Sequence, residues 1–113
     1  MEPRLRSSVM VGALQRLAES AGGFAAVLAR GDSQAGSILV ILAEKGVKLR
    51  ILERILQGDG HYAWQEAGAQ TVGNEEEIER FLSRRRRIDP DLWLIELDVA
   101  SAERFAAEMN SFV

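Results

Sequence analysis

The chain has no cysteine, one histidine, two prolines and one tyrosine, and each shortage removes a kind of chemistry. Without thiols there is no disulfide staple, thiolate metal centre or cysteine nucleophile, a usage that suits a reducing compartment. With His61 as the only imidazole, a Ser-His-Asp device runs through that residue or does not exist, and a metal site would need carboxylates. No metal and no cofactor are expected. No apolar run exceeds six residues, far short of the roughly 20 that cross a bilayer as a helix. Arg4 and Arg6 precede the first apolar positions, but Ser7, Ser8, Gln15, Arg16 and Glu19 interrupt them, unlike the unbroken core of a secretory signal. The expectation is a cytoplasmic protein without membrane attachment.

What remains is an ordinary globular composition: 113 residues, 47% hydrophobic and 27% charged, which fits one domain over residues 1–113. The net charge of −3 leaves no global basic field to draw nucleic acid. It is unevenly spread, +2 up to residue 87 and −5 from residue 88 onward.

Apolar residues at Leu5, Val9, Met10, Ala13, Leu14, Leu17, Ala18 and Ala21 predict an amphipathic helix, with Pro3 near its start and Gly22-Gly23 as its stop. Phe24–Arg30 and Ser37–Ala43 flank a turn-forming Gly31–Gly36 segment and read as a hairpin. Ile38 to Leu42 is apolar at every position, as in a central strand. Val47–Gln57 suits either a strand or a helix, and the Gly58-Asp59-Gly60 turn into His61–Gln65 favours a second hairpin. Asn74 with Glu77 is a capping box that opens a helix, which Pro90 ends by about Ile88. Leu92–Val99 alternates as a strand, and Ser101 caps a last helix with apolar Phe105, Met109 and Phe112. The order α-β-β-β-β-α-β-α predicts an α+β domain with a mainly antiparallel sheet of about five strands, three helices covering one face.

Several of these pieces, taken in order, carry a resemblance. Pro3-Arg4-Leu5-Arg6 leading to Ala13-Leu14, Gly31-Asp32 to Ala35-Gly36 followed by Leu39-Val40, Trp64, and Asp89-Pro90-Asp91-Leu92-Trp93 to Ile95-Glu96 resemble an uncharacterised family of short alphaproteobacterial proteins, a domain of unknown function. The resemblance spans essentially the whole chain. It implies a bacterial cytoplasmic protein and brings no activity, ligand or catalytic residue with it.

Three constellations remain. Arg84-Arg85-Arg86-Arg87, with Arg4 and Arg6, could grip phosphates while Trp93 stacks on a base. Yet cations at a helix C-terminus also complement its dipole, and four consecutive helical residues fan around the axis. Gly31, Asp32, Ser33 and Gly36 could form an anion-binding nest, opposed by the charge of Asp32, although a structural turn explains them equally. Asp59, His61 and Glu66, or Glu96 with Asp98, are the materials for acid-base catalysis, but they are scattered. The favoured expectation is a non-enzymatic binding or regulatory module acting through a protein partner or as a homo-oligomer. The alternative is RNA or another phosphate ligand on the arginines, and a carboxylate-histidine enzyme ranks third.

Overall fold

The computed structural model describes residues 6–111. Arg4, Pro3 and Leu5 at one end and Phe112 and Val113 at the other lie outside them. Helix α1 (Ser7–Ser20) leads into β1 (Phe24–Ala29), β2 (Ile38–Glu44), β3 (Val47–Leu56) and β4 (Tyr62–Glu66). A short 3₁₀ turn (Ala69–Thr71) precedes α2 (Glu75–Ile88), β5 (Trp93–Asp98) and α3 (Ala102–Asn110). The expected order of elements and the α+β class hold, and Val47–Leu56 is a strand. Asn74 and Ser101 cap α2 and α3, their side chains accepting from the amides of Glu77 and Arg104.

The five strands lie in the order β1-β5-β2-β3-β4. Three ladders are antiparallel and one, β2 with β5, is parallel, so the sheet is mixed. This corrects the expected β1–β2 hairpin, because β5 lies between the two strands and pairs with both. The connection 30–37 is long enough to pass over one intervening strand, two spacings of about 4.8 Å. β2 and β3 do form a tight hairpin on Lys45-Gly46, both at positive φ (50° and 82°). That matches the two-residue turn whose twist suits paired strands.

Helices cover both faces of the sheet, a second correction. Met10, Val11, Leu14 and Ala18 of α1 with Phe105, Ala106 and Met109 of α3 pack on Val40, Leu42, Ile95 and Leu97. On the other face, Ile78, Phe81 and Leu82 of α2 pack on Leu39, Ile41, Ile51 and Leu94. The cause is the unbroken apolar run of β2, buried from Ile38 to Ala43. Side chains alternate between faces, so a strand apolar at every position needs a cover on each.

Candidate functional site

Two of the sequence pieces that carry the family resemblance, Gly31–Gly36 and Asp89–Trp93, meet in space. The Asp32 amide donates to the Asp91 carbonyl at 3.0 Å and the Trp93 amide to the Ser37 carbonyl at 2.8 Å. The Trp93 indole N–H donates to the Asp32 carbonyl at 2.7 Å, and the Arg30 guanidinium stands 5.5 Å from the Trp93 ring. Gly31 and Gly36 are glycines because Cβ atoms there would fall 2.1 and 2.3 Å from the Asp91 carbonyl oxygen. The loop thus clamps the start of β5.

That clamp occupies several of the loop's own polar groups. Asp32 Oδ2 accepts the amides of Gln34 and Ala35, and the Gly36 amide donates to the Asp32 carbonyl. Toward α1 the loop presents carbonyls: Ser7 and Ser8 donate their amides to Gln34 and Ser33, and the Ser7 hydroxyl donates to Gly36 at 2.6 Å. A cleft of about 280 Å³ beside them is lined by Ser7, Gln34, Ser37, Arg54 and Tyr62, with the Arg54 guanidinium stacked 4.1 Å from the Tyr62 ring centre.

One arginine of the run is committed to the sheet. Arg85 turns inward and donates two hydrogen bonds to the Glu53 carboxylate, at 2.8 and 2.7 Å. This bonding raises the Arg85 pKa above its ordinary value, so the guanidinium stays charged. Arg84, Arg86 and Arg87 are exposed around the end of α2, and Arg6 is exposed just before α1. Trp93 is 3% exposed and belongs to the core on the α1 and α3 side, while α2 packs on the opposite face.

The acid-base groups are dispersed. His61 is exposed at its turn, where its amide donates to Asp59 Oδ1, and Glu66 pairs with Arg50 at 2.8 Å. Asp98 accepts the amides of Lys45 and Gly46, one on each carboxylate oxygen, and so fastens the β2–β3 turn to β5. Glu44 Oε2 accepts the Ala102 amide at the start of α3. Among the described residues no three His, Cys, Asp or Glu side chains are grouped to hold a metal ion.

The feature missed in the sequence is the position of β1 at the edge of the sheet. Ala25 and Val27 pack toward the α1 core, leaving Phe24 (63% exposed) and Ala26 uncovered on the other face, with Leu28 (48% exposed) bare at the register shift between Val27 and Ala29. Trp93 and Val99 donate their amides across to Ser37 and Ala43, so odd-numbered residues of β5 address β2 and even-numbered ones address β1. The β1–β5 register then turns the backbone groups of Phe24 and Ala26 inward and those of Ala25 and Val27 outward. An open groove at the same end of the sheet is bordered by Phe24, Val47 and Leu49. The available signal was a strand apolar on both faces with no charge between Gly23 and Arg30.

Fold and site together define a small α+β domain with a sheet sandwiched between helices, a clamped loop and one bare strand. The chain belongs to the family described as protein of unknown function (DUF1491), whose profile matches residues 5–107. It is similar to a DUF1491 family protein from Caulobacter crescentus CB15 in a crystal structure at 1.87 Å, with 31% identity and a TM-score of 0.79 over 90% of this chain and 94% of that one. An NMR structure of a DUF1491 family protein from the same organism gives 30%, 0.77, 92% and 94%. The solution structure of protein Atu0922 from A. tumefaciens gives 31%, 0.68, 88% and 89%. These sources agree with the alphaproteobacterial resemblance of the sequence. No curated protein matches the chain. Among the described residues no helix is long and apolar enough to cross a membrane.

Proposed function

We propose that this protein is a non-catalytic binding module that works in the cytoplasm through contact with another polypeptide, and that its working surface is the β1 edge with its bare face. The observation that carries this reading is a six-residue strand without a polar side chain, Phe24–Ala29, at the rim of the sheet with Phe24 and Leu28 exposed. An uncovered apolar edge is a template for strand addition, and natural folds blunt such edges unless they are used. The dispersal of His61 and the carboxylates supports a role in binding over one in catalysis. The absence of cysteine supports the compartment.

Amide hydrogen exchange tests the surface directly. The outward amides of Ala25 and Val27 exchange freely in the isolated chain and become protected when the edge is covered, either at high protein concentration or by a synthetic extended peptide of alternating valine and threonine about eight residues long. Free exchange under every one of these conditions would remove the reading.

A further inference from the structure

We propose that the occupant of the β1 edge is a second copy of this chain, paired antiparallel about a two-fold axis through Ala26 to make one continuous ten-stranded sheet. This rests on the docking surface argued above and names its partner. A closed symmetric dimer needs a patch complementary to itself, and β1 meets that condition in a single register. The outward backbone groups belong to Ala25 and Val27, so setting Ala25 of one copy opposite Val27 of the other joins two hydrogen-bonded pairs around a central Ala26–Ala26 pair. The same register brings the exposed Phe24 of each copy opposite the exposed Leu28 of the other, which sits at the register shift between Val27 and Ala29. Four exposed apolar side chains cover one another across two alanines small enough to let the strands close.

The charges agree with that arrangement. No ionised side chain lies between Gly23 and Arg30, so no like charges oppose each other along the seam. Arg30 of each copy arrives near Gly22 of the other, beside the C-terminus of α1, whose last turn has no basic residue and whose Glu19 is exposed. The two Glu96 side chains, in register with Ala26, stand three strand spacings apart, about 14 Å and beyond a Debye length of ~8 Å. A strand pair of this length buries on the order of 500 Å² per copy, below the ~800 Å² of a standard interface, which places the pairing among weak, concentration-dependent associations.

The absence of cysteine makes the register testable with one thiol. Ala26→Cys sets two sulfurs across the axis in a non-hydrogen-bonded pair, at a Cα separation of about 4.5 Å that a disulfide accepts, so mild oxidation yields a covalent dimer. Ala35→Cys, in the exposed loop, yields little. Sedimentation of the wild-type chain from about 1 to about 300 μM shows a monomer becoming a dimer. Phe24→Asp, at an exposed position, and Ala25→Pro, which removes an outward N–H as edge strands tolerate, each raise the dissociation constant at least about tenfold, with circular dichroism unchanged. Equal crosslinking of the two cysteine variants, or association that Ala25→Pro leaves intact, overturns the pairing. A wild-type chain that stays monomeric while the valine-threonine peptide protects Ala25 and Val27 overturns the second copy as partner and leaves the docking surface standing. No protection in either experiment removes both.

Discussion

β4 and β1 close opposite sides of one sheet, yet β4 is five residues long, carries Gln65 and Glu66, and has the Trp64 amide taken by the side chain of Asn110 at 2.9 Å. β1 is six residues long, carries no polar side chain, and has no hydrogen bond to its outward amides among the described residues. The first edge is finished in the manner of strands that must not pair, with charge, brevity and a cover. Helix α2 adds to the asymmetry. Its two ion pairs with the sheet, Glu75 with Lys48 and Arg85 with Glu53, both reach β3. The ten residues between Glu75 and Arg85 rise about 15 Å, close to the ~16 Å of five strand residues, so the helix is laid along β3 and leaves Phe24, Ala26 and Leu28 bare. Two edges of one sheet are treated differently by the same chain: β1 carries the register shift between Val27 and Ala29 but neither a charge nor a cover.

The largest effect is expected where β1 is fastened to the sheet. Gly31→Ala places a methyl group 2.1 Å from the Asp91 carbonyl oxygen and 2.7 Å from Trp93 Cδ1. Backbone cannot yield as a side-chain tip can, so the loop must shift and the Trp93 and Asp32 hydrogen bonds with it. The cost is about 3 kcal/mol or more, read as a lower midpoint in urea. A loss under ~1 kcal/mol would show that the clamp is looser than its distances.

Much of this architecture was legible in the sequence, and the failures share a cause. Asn74, Ser101, Pro90 and the alternation of Leu92–Val99 act through neighbours in the chain, so their elements were found. The run Ile38–Leu42 announced a central strand. What local pattern does not encode is which strand lies beside which. Phe24–Arg30 and Ser37–Ala43 have the form of a hairpin, and only the close approach of Gly31 and Gly36 to Asp91, some sixty residues on, tells that β5 intervenes. Once β5 is inserted, β1 becomes an edge, so the same missed contact hid the bare face. The arginine run was conspicuous for its composition, while the position of Glu53 on β3, which turns Arg85 inward, is likewise a long-range fact.

The anchoring of α2 gives the next effect. Arg85→Ala leaves the Glu53 carboxylate, only 16% exposed, without its bidentate partner and costs about 2 kcal/mol, between exposed and fully buried pairs. The raised Arg85 pKa sets the pH dependence. A base whose folded pKa is raised above its unfolded value contributes fully below that unfolded value and loses its contribution only as the pH rises through the folded one. The wild-type and Arg85→Ala stability curves should therefore stay parallel from neutral pH up to the alkaline limit. A gap that closes between pH 7 and 10 would break the assignment. Losing α2's grip on β3 should leave the β1 edge unaltered, since no contact of Arg85 reaches it.

Asn110→Ala uncovers the Trp64 amide and makes β4 resemble β1. The loss of one hydrogen bond costs about 1 kcal/mol, and exchange of the Trp64 amide speeds up accordingly. Association should hardly increase, because Gln65 and Glu66 remain to repel a second edge. If the variant dimerises through β4, the cover alone was the safeguard.

The smallest effect on stability should accompany the largest change in behaviour. Leu28→Lys puts an ionised side chain on β1, as β4 has in Glu66, though of opposite sign. Leu28 is 48% exposed and sits at the irregularity between Val27 and Ala29 in the β1–β5 ladder, so its replacement removes little buried surface and no ladder hydrogen bond. Folding stability should change by less than about 0.5 kcal/mol, as at ordinary surface sites. Protection of the Ala25 and Val27 amides at high concentration should nonetheless vanish, because pairing would press two lysines against apolar Phe24 rings. A stability loss above ~1.5 kcal/mol would instead mean that Leu28 is part of the fold's own packing, and the contrast between the two edges would lose its strongest term.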